Sequence, residues 1–217
     1  MAKKHILVLG LKTFGLSIVK QLSKYNCEVL AIDKDMDRVE EADEFATHAL
    51  QIDTRDSDKM DSLSLNSFDI AIITIDNIEE SIMSALLFQE KGIPYIIVKA
   101  TSEMHRKILE KMGIEKIISP EKEMGIKLAK TIMNESVIDA INFSDDYSIV
   151  EIHALDKWIG KSLNKLNLRE IYGINILCVK KINNELEISP SQDYIIEEKD
   201  ILVAIAENKK LNDSGLL

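Results

Sequence analysis

The sequence predicts an α/β protein: a doubly wound parallel sheet followed by a small α+β unit. Three observations carry that prediction. Short apolar runs alternate with amphipathic segments from Lys4 to Asn134, as strands buried on both faces alternate with the helices that cover them. The first run ends in a glycine turn and the second in an acid. Beyond Ser144 the pattern changes to short strands with little helix.

The elements follow in order. His5-Ile-Leu-Val-Leu9 is an unbroken apolar run, and Gly10-Leu-Lys-Thr-Phe-Gly15 follows it. Leu16, Ile18, Val19 and Leu22 then recur at helical spacing through Tyr25, and Glu28-Val-Leu-Ala-Ile32 is a second strand that stops at Asp33. Strand, glycine turn, helix, strand and terminal acid form the dinucleotide-binding arrangement of Rossmann-like sheets. The glycines let the backbone turn tightly under a pyrophosphate, and the helix N-terminus offers it free N–H groups. Asp33 would accept from ribose hydroxyls. A full fingerprint reads G-x-G-x-x-G, whereas Lys12 stands at the middle glycine. Two readings stay open: a βαβ unit that binds nothing, and a modified nucleotide site in which Lys12 contacts phosphate. The context favours the second.

Met36 to Phe45 reads as a charged helix with Val39, Ala42 and Phe45 inward, and Thr47 to Ile52 as a third strand ending at Asp53-Thr54. A polar helix from Asp56 to Leu63 leads to the fourth strand, 69–74. Asn77 caps a helix through Glu90, with Ile78, Ile82, Ala85, Leu86 and Phe88 partly on one face. Gly92-Ile-Pro94 turns into the fifth strand, Tyr95 to Val98, which ends at Lys99. Glu103 to Met112 is a helix closed by Gly113, Ile114 to Ile118 a sixth strand, and Pro120 opens a helix to about Asn134 with Ile126, Leu128, Ala129 and Ile132 apolar. Gly10, Asp33, Asp53, Thr74 and Lys99 would line the carboxyl edge of this sheet, where ligands bind in such folds. The second unit carries strands at 148–154, 174–181, 185–188 and 200–206, a hairpin turn at Asn183-Asn184, and a helix from Leu163 to Tyr172 ended by Gly173. The expected organisation is 1–135 and 136–217, with a linker over about 136–146. The second unit is small to be stable alone and is expected to gain core by pairing with its own copy.

Composition bounds the function. The net charge of -10 argues against nucleic-acid binding, because no basic excess exists to displace counterions from phosphates. Cys27 and Cys178 follow no metal-binding spacing. The four histidines are scattered, and no nucleophile with a paired base is evident, so no catalytic residues are assigned. The N-terminus runs into a strand without a signal peptide, and no apolar run approaches the roughly 20 residues that span a bilayer. A cytoplasmic location is expected, with any membrane role arising through a partner.

This combination resembles the RCK (KTN) proteins, the cytosolic gating subunits of Ktr and Trk potassium uptake systems. The resemblance is carried by Gly10-Leu-x-x-Phe-Gly15, Val29-Leu-Ala-Ile-Asp33, Ala46-Thr-His-Ala49, Ile96-x-Val-Lys-Ala100, His105-x-x-x-Leu-Glu-Lys-x-Gly113 and Ile118-x-Pro-Glu-Lys-x-Met-Gly125. Further on it rests on Ser144-Asp-x-Tyr-Ser-Ile-Val-Glu151, Gly160-Lys-Ser-Leu163, Leu168-Arg169, Tyr172-Gly173, Ile188-Ser-Pro190 and Asp200-Ile-Leu-Val203. It implies an N-terminal nucleotide-binding RCK domain and a C-terminal RCK_C domain. It further implies homodimers assembled into a tetrameric or octameric ring beneath a membrane potassium channel subunit of the KtrB or TrkH type. Bound ATP or ADP, or in other members NAD or NADH, sets the shape of the ring and thereby the gate.

Carried over residue by residue, the resemblance assigns the phosphate turn to Gly10, Lys12, Thr13, Phe14 and Gly15 and the ribose acid to Asp33. It places Asp53 and Thr54 at the adenine, and aligns Asn77 and Lys99 with the family's residues after strands four and five. Glu121 matches a glutamate that helps hold a divalent cation near the nucleotides of paired subunits; carboxylate and phosphate oxygens suit Mg²⁺ or Ca²⁺. A first-turn acid favoured by the helix dipole is the other reading of Glu121. The usual family turn has glycine at 12 and an arginine at 13 that reaches a neighbouring subunit's γ-phosphate; here they are Lys12 and Thr13. Lys12 could take over the charge, though without a bidentate fork. In the second unit Leu163, Arg169, Ile171, Asn175, Ile176 and Pro190 match positions that bind cyclic di-AMP across an RCK_C dimer in related proteins. The other reading there is a dimer core with one surface arginine. The overall expectation is a regulatory subunit and not an enzyme. The alternatives are an NAD-dependent Rossmann-fold oxidoreductase and an RCK regulator of a different ion channel.

Overall fold

The protein is described from a computed structural model covering residues 3–133, 137–144, 146–183 and 185–213. The chain divides into two compact units, Met1–Pro120 and Glu121–Leu217.

In the first unit β1 (Lys4–Leu9), β2 (Cys27–Asp33), β3 (His48–Gln51), β4 (Ile70–Ile73), β5 (Tyr95–Lys99) and β6 (Lys116–Ile118) form one parallel sheet in the order β3-β2-β1-β4-β5-β6. The chain reverses direction of travel across the sheet between β1 and β4, which places a crevice at their carboxyl ends. β1 earns its central position by composition: Leu7, Val8 and Leu9 are fully buried between α1 (Thr13–Leu22) and the helices of the opposite face. α2 (Met36–Asp43) buries Val39 and Ala42. α3 (Ser57–Ser62) is short, and α5 (Glu103–Lys111) is capped by Ser102, whose hydroxyl accepts the His105 N–H at 3.1 Å. α4 (Ile78–Glu90) differs from its expected apolar face. It buries Ser81, Ser84, Ala85 and Phe88, whereas Ile78 and Leu86 are exposed. Small residues on the sheet side let the helix lie close to β4 and β5, and the larger side chains turn outward.

In the second unit β7 (Val137–Asn142), β8 (Tyr147–His153), β9 (Ile174–Lys180), β10 (Leu186–Ile188) and β11 (Ile201–Glu207) form an antiparallel sheet in the order β10-β9-β11-β8-β7. β7 occupies the stretch expected as a linker and pairs with β8, Ile141 opposite Ile149. The expected helix over 163–172 is two short ones, α7 (Leu163–Leu166) and α8 (Leu168–Tyr172), because Asn167 takes a left-handed conformation (φ 43°) between them. Of the expected turn at Asn183-Asn184, Asn184 lies outside the described residues; Lys181 N–H donates to the Glu185 carbonyl across it at 2.9 Å. α6 (Pro120–Met133) exposes Met124 together with Ile126, Leu128 and Ile132, three of the positions read as apolar. α9 (Asn208–Asp213) closes the unit, burying Leu211.

Candidate functional site

A cleft opens where β1 and β4 part. Its lining is Leu9, Gly10, Lys12, Asp33, Lys34, Arg38, Ile52, Thr54, Thr74, Ile75, Asp76, Asn77 and Glu80.

Its floor is backbone. Gly10 has φ +93°, a conformation that favours glycine, and its N–H donates to the Ile32 carbonyl at 2.8 Å. Gly15 is set so close that a Cβ there would fall 1.9 Å from the Gly10 carbonyl oxygen. Thr74 fixes the same carbonyl by donating its hydroxyl at 2.6 Å. No side chain caps the N-terminus of α1, so its first-turn N–H groups face the turn and suit an anion.

The acid at the end of β2 is deeply committed. Asp33 is buried; one oxygen accepts from the Leu11 N–H at 2.6 Å, the other from the Asp35 N–H at 3.0 Å, and the Arg38 guanidinium lies 3.6 Å away. Each carboxylate oxygen keeps a lone pair for a hydroxyl. At one end of the opening Lys34 pairs with Glu80 at 3.0 Å; at the other Lys12 pairs with Asp76 at 2.7 Å. Asp76 also accepts from the nearly buried Lys99 at 2.6 Å, and the two lysines hold its carboxyl below the usual carboxylate range.

Of the residues expected at this site, Gly10, Lys12, Asp33, Thr54 and Asn77 line the cleft. Asn77 also caps α4, accepting the Glu80 N–H at 2.9 Å. Lys99 stands behind the wall and acts through Asp76. Thr13 lies outside, along a shallow groove with Lys12, Lys20 and Arg38. Phe14 is half-buried in α1. Asp53 is turned to Arg55, whose Nε donates to it at 2.9 Å and drives its carboxyl well below the usual range. Lys34, Arg38, Ile52, Ile75, Asp76 and Glu80 also line the cleft, and the motif reading did not name them; Lys34, Ile52, Ile75 and Asp76 follow the carboxyl ends of strands, whereas Arg38 and Glu80 come from the first turns of α2 and α4.

In the second unit an open groove is lined by Leu163, Asn164, Asn167, Leu168, Arg169, Ile174, Asn175, Ile176, Pro190 and Gln192. It gathers Leu163, Arg169, Asn175, Ile176 and Pro190 as expected, with Arg169 and Asn175 exposed. Ile171 is not among its walls and is exposed on α8. Glu121 is exposed in the first turn of α6, and no group of three or more His, Cys, Asp or Glu side chains suited to a metal exists among the described residues.

Comparison with known proteins places these features. The TrkA-N domain model matches residues 6–120 and the TrkA-C domain model residues 147–213. The chain is 40% identical over 209 residues to Ktr system potassium uptake protein A of Bacillus subtilis (strain 168), covering 96% of this chain and 94% of the relative. It is 39% identical over 204 residues to Ktr system potassium uptake protein C of the same organism, covering 94% and 92%. Among solved structures the GsuK RCK domain superposes with a TM-score of 0.66 at 16% identity over 97% of this chain, and the GsuK channel bound to NAD with 0.68 at 16% identity over 100%. The chain spans less than half of either GsuK chain, 46% and 39%. That likeness shows the fold.

Proposed function

Because this chain belongs to the TrkA-N and TrkA-C family of Ktr potassium uptake proteins, we propose that it is the nucleotide-sensing regulatory subunit of a potassium channel or transporter. The observation that carries the sensing role is the cleft between β1 and β4. A glycine turn, an uncapped helix N-terminus and a buried acid converge there. ATP or ADP is the ligand in this reading, with NAD or NADH the other candidates. Cyclic di-AMP is the proposed ligand of the second unit, where Arg169 supplies a fork for phosphate and Asn175 an amide for a base edge. Each ligand acts by favouring one shape of the assembly over another. An NAD-dependent oxidoreductase is not favoured, since the two Bacillus subtilis relatives, each spanning nearly the whole chain, are potassium uptake proteins.

No helix among the described residues is long and apolar enough to cross a membrane. The conducting element in this reading is a membrane partner. The chain works from the cytoplasmic side as a homodimer built into a ring. Ile126, Leu128 and Ile132 on α6, and Ile141 and Phe143 at β7, are exposed on the single chain and form apolar surface suited to a second copy. A divalent cation on Glu121 would need its remaining ligands from a second copy or from bound phosphate.

Calorimetric titration with ATP, ADP, NADH and cyclic di-AMP tests the assignment. Substituting Asp33 would also release the Leu11 and Asp35 amides, so Thr54→Trp, which fills the cleft from its wall, is the better blocking variant. Adenine-nucleotide binding lost only in Thr54→Trp, and cyclic di-AMP binding lost only in Arg169→Ala, is the expected result. Binding unaffected by either change refutes the placement of the ligands.

A further inference from the structure

The nucleotide cleft carries an anion of its own. Asp76 lies in the loop between β4 and α4, and its two carboxylate oxygens receive Lys12 at 2.7 Å and Lys99 at 2.6 Å. Lys12 comes from the turn after β1, so its pair with Asp76 bridges the opening from one wall to the other. Lys99 is nearly buried, with its side chain 6% exposed, and anchors the carboxylate from behind; the Asp76 side chain is 41% exposed and borders the cleft. A carboxylate seated on two ammonium groups has the contacts that phosphate oxygens would make at the same place.

We propose that Asp76 is the specificity-determining residue of this cleft, an internal carboxylate that competes with the ligand's phosphates for Lys12 and so sets which phosphate chain length the site accepts. The proposal rests on the nucleotide reading above. When a phosphate takes Lys12, the ammonium leaves Asp76, while Lys99 keeps the carboxylate at the border of the cleft. The displaced carboxylate then faces the incoming phosphates at short range, and the repulsion grows with each charge the ligand adds. Lys12 draws phosphate in; Asp76 taxes it in proportion to its charge. Neither residue alone grades ligands this way.

The test is calorimetric titration of the full chain with AMP, ADP and ATP in EDTA, so that no divalent cation masks the phosphates. Asp76→Asn keeps an oxygen for Lys99 and removes the charge. It is expected to tighten ATP by about tenfold, ADP less and AMP least. Asp76→Ser, which also removes the charge, is expected to give the same graded tightening and carries the test if Asp76→Asn unfolds. Equal changes across the three ligands, or none, overturn the proposal. So does loss of all binding in a folded Asp76→Asn protein, because Asp76 would then be a direct ligand contact. Failure of the unmodified protein and of both variants to bind any of the three overturns the nucleotide reading, and the proposal with it.

Discussion

Replacing Gly15 by alanine tests the close packing on which the proposed phosphate turn depends. An added Cβ would stand 1.9 Å from the Gly10 carbonyl oxygen and 2.6 Å from Thr74 Oγ1. Ordinary contact requires α1 to retreat by about 1.5 Å, and the retreat pulls on the 2.6 Å bond from the Thr74 hydroxyl to the Gly10 carbonyl. Overpacking a close-packed site costs about 1–3 kcal/mol. The Thr74 hydroxyl would fall back on its longer contact to the Leu9 carbonyl, 3.3 Å, at a further cost of about 1 kcal/mol. Together they suggest a loss of about 3 kcal/mol, which for a chain of this size lowers the melting temperature by roughly 10 °C. Scanning calorimetry reads the shift directly. Gly125→Ala is the matched control, since no atom lies within 4 Å of its added Cβ and a helix interior gains about 1 kcal/mol from alanine. If Gly15→Ala melts within about 2 °C of the unmodified protein and binds nucleotide equally well, the argument from close approach is wrong.

Two further predictions concern groups outside the cleft. His105 is fully buried in α5; its Nδ1 accepts the Thr101 N–H at 3.3 Å, and its Nε2 has no partner among the described residues. Burial pushes its pKa below the ordinary 6.5, so the unfolded chain binds a proton that the folded one resists. The stability linked to His105 is therefore complete above pH 6.5 and lost as pH falls from there toward the lower folded value. Urea midpoints measured from pH 7 to pH 5 should decline in the unmodified protein and decline less in His105→Leu. In the second unit the Tyr194 hydroxyl donates to buried Asp200 at 2.8 Å, and burial together with that carboxylate raises the phenol's pKa above its usual value. Tyr194→Phe removes a hydrogen bond to a charged acceptor and should destabilise the protein by about 2 kcal/mol in urea unfolding; an unchanged midpoint contradicts the assignment.

The parallel sheet was legible because its central strands β2, β1, β4 and β5 are runs of mainly apolar residues ended by a residue of distinct chemistry. Leu9 gives way to Gly10, Ile32 to Asp33, and Val98 to Lys99, and sheet geometry brings all those ends to one edge. β7 was not legible. An edge strand covered on one face needs only a few apolar positions, and Val137 to Asn142 sits between polar stretches that read as a boundary. The break in the helix over 163–172 turns on Asn167 alone, a residue that tolerates the left-handed conformation without requiring it. The helix of Ile126, Leu128 and Ile132 was placed, but periodicity marks an apolar face and says nothing of whether the same chain covers it.

The site divides along the same line. Gly10, Asp33 and Asn77 could be read from the sequence because a glycine turn, a strand-end acid and a helix cap are local properties of a few adjacent residues. Asp76 and Glu80 could not, because their roles belong to partners 64 and 46 residues away, Lys12 and Lys34. Taken alone, Lys12 is a departure from the glycine fingerprint that either blocks the cleft or supplies it with charge. The structure joins it to Asp76, and the question changes: what matters is how much of the lysine's charge the carboxylate leaves for a phosphate. Under the proposed reading, a turn that departs from the fingerprint at one position remains a phosphate site because a second residue, distant in sequence, holds the extra charge when no phosphate claims it.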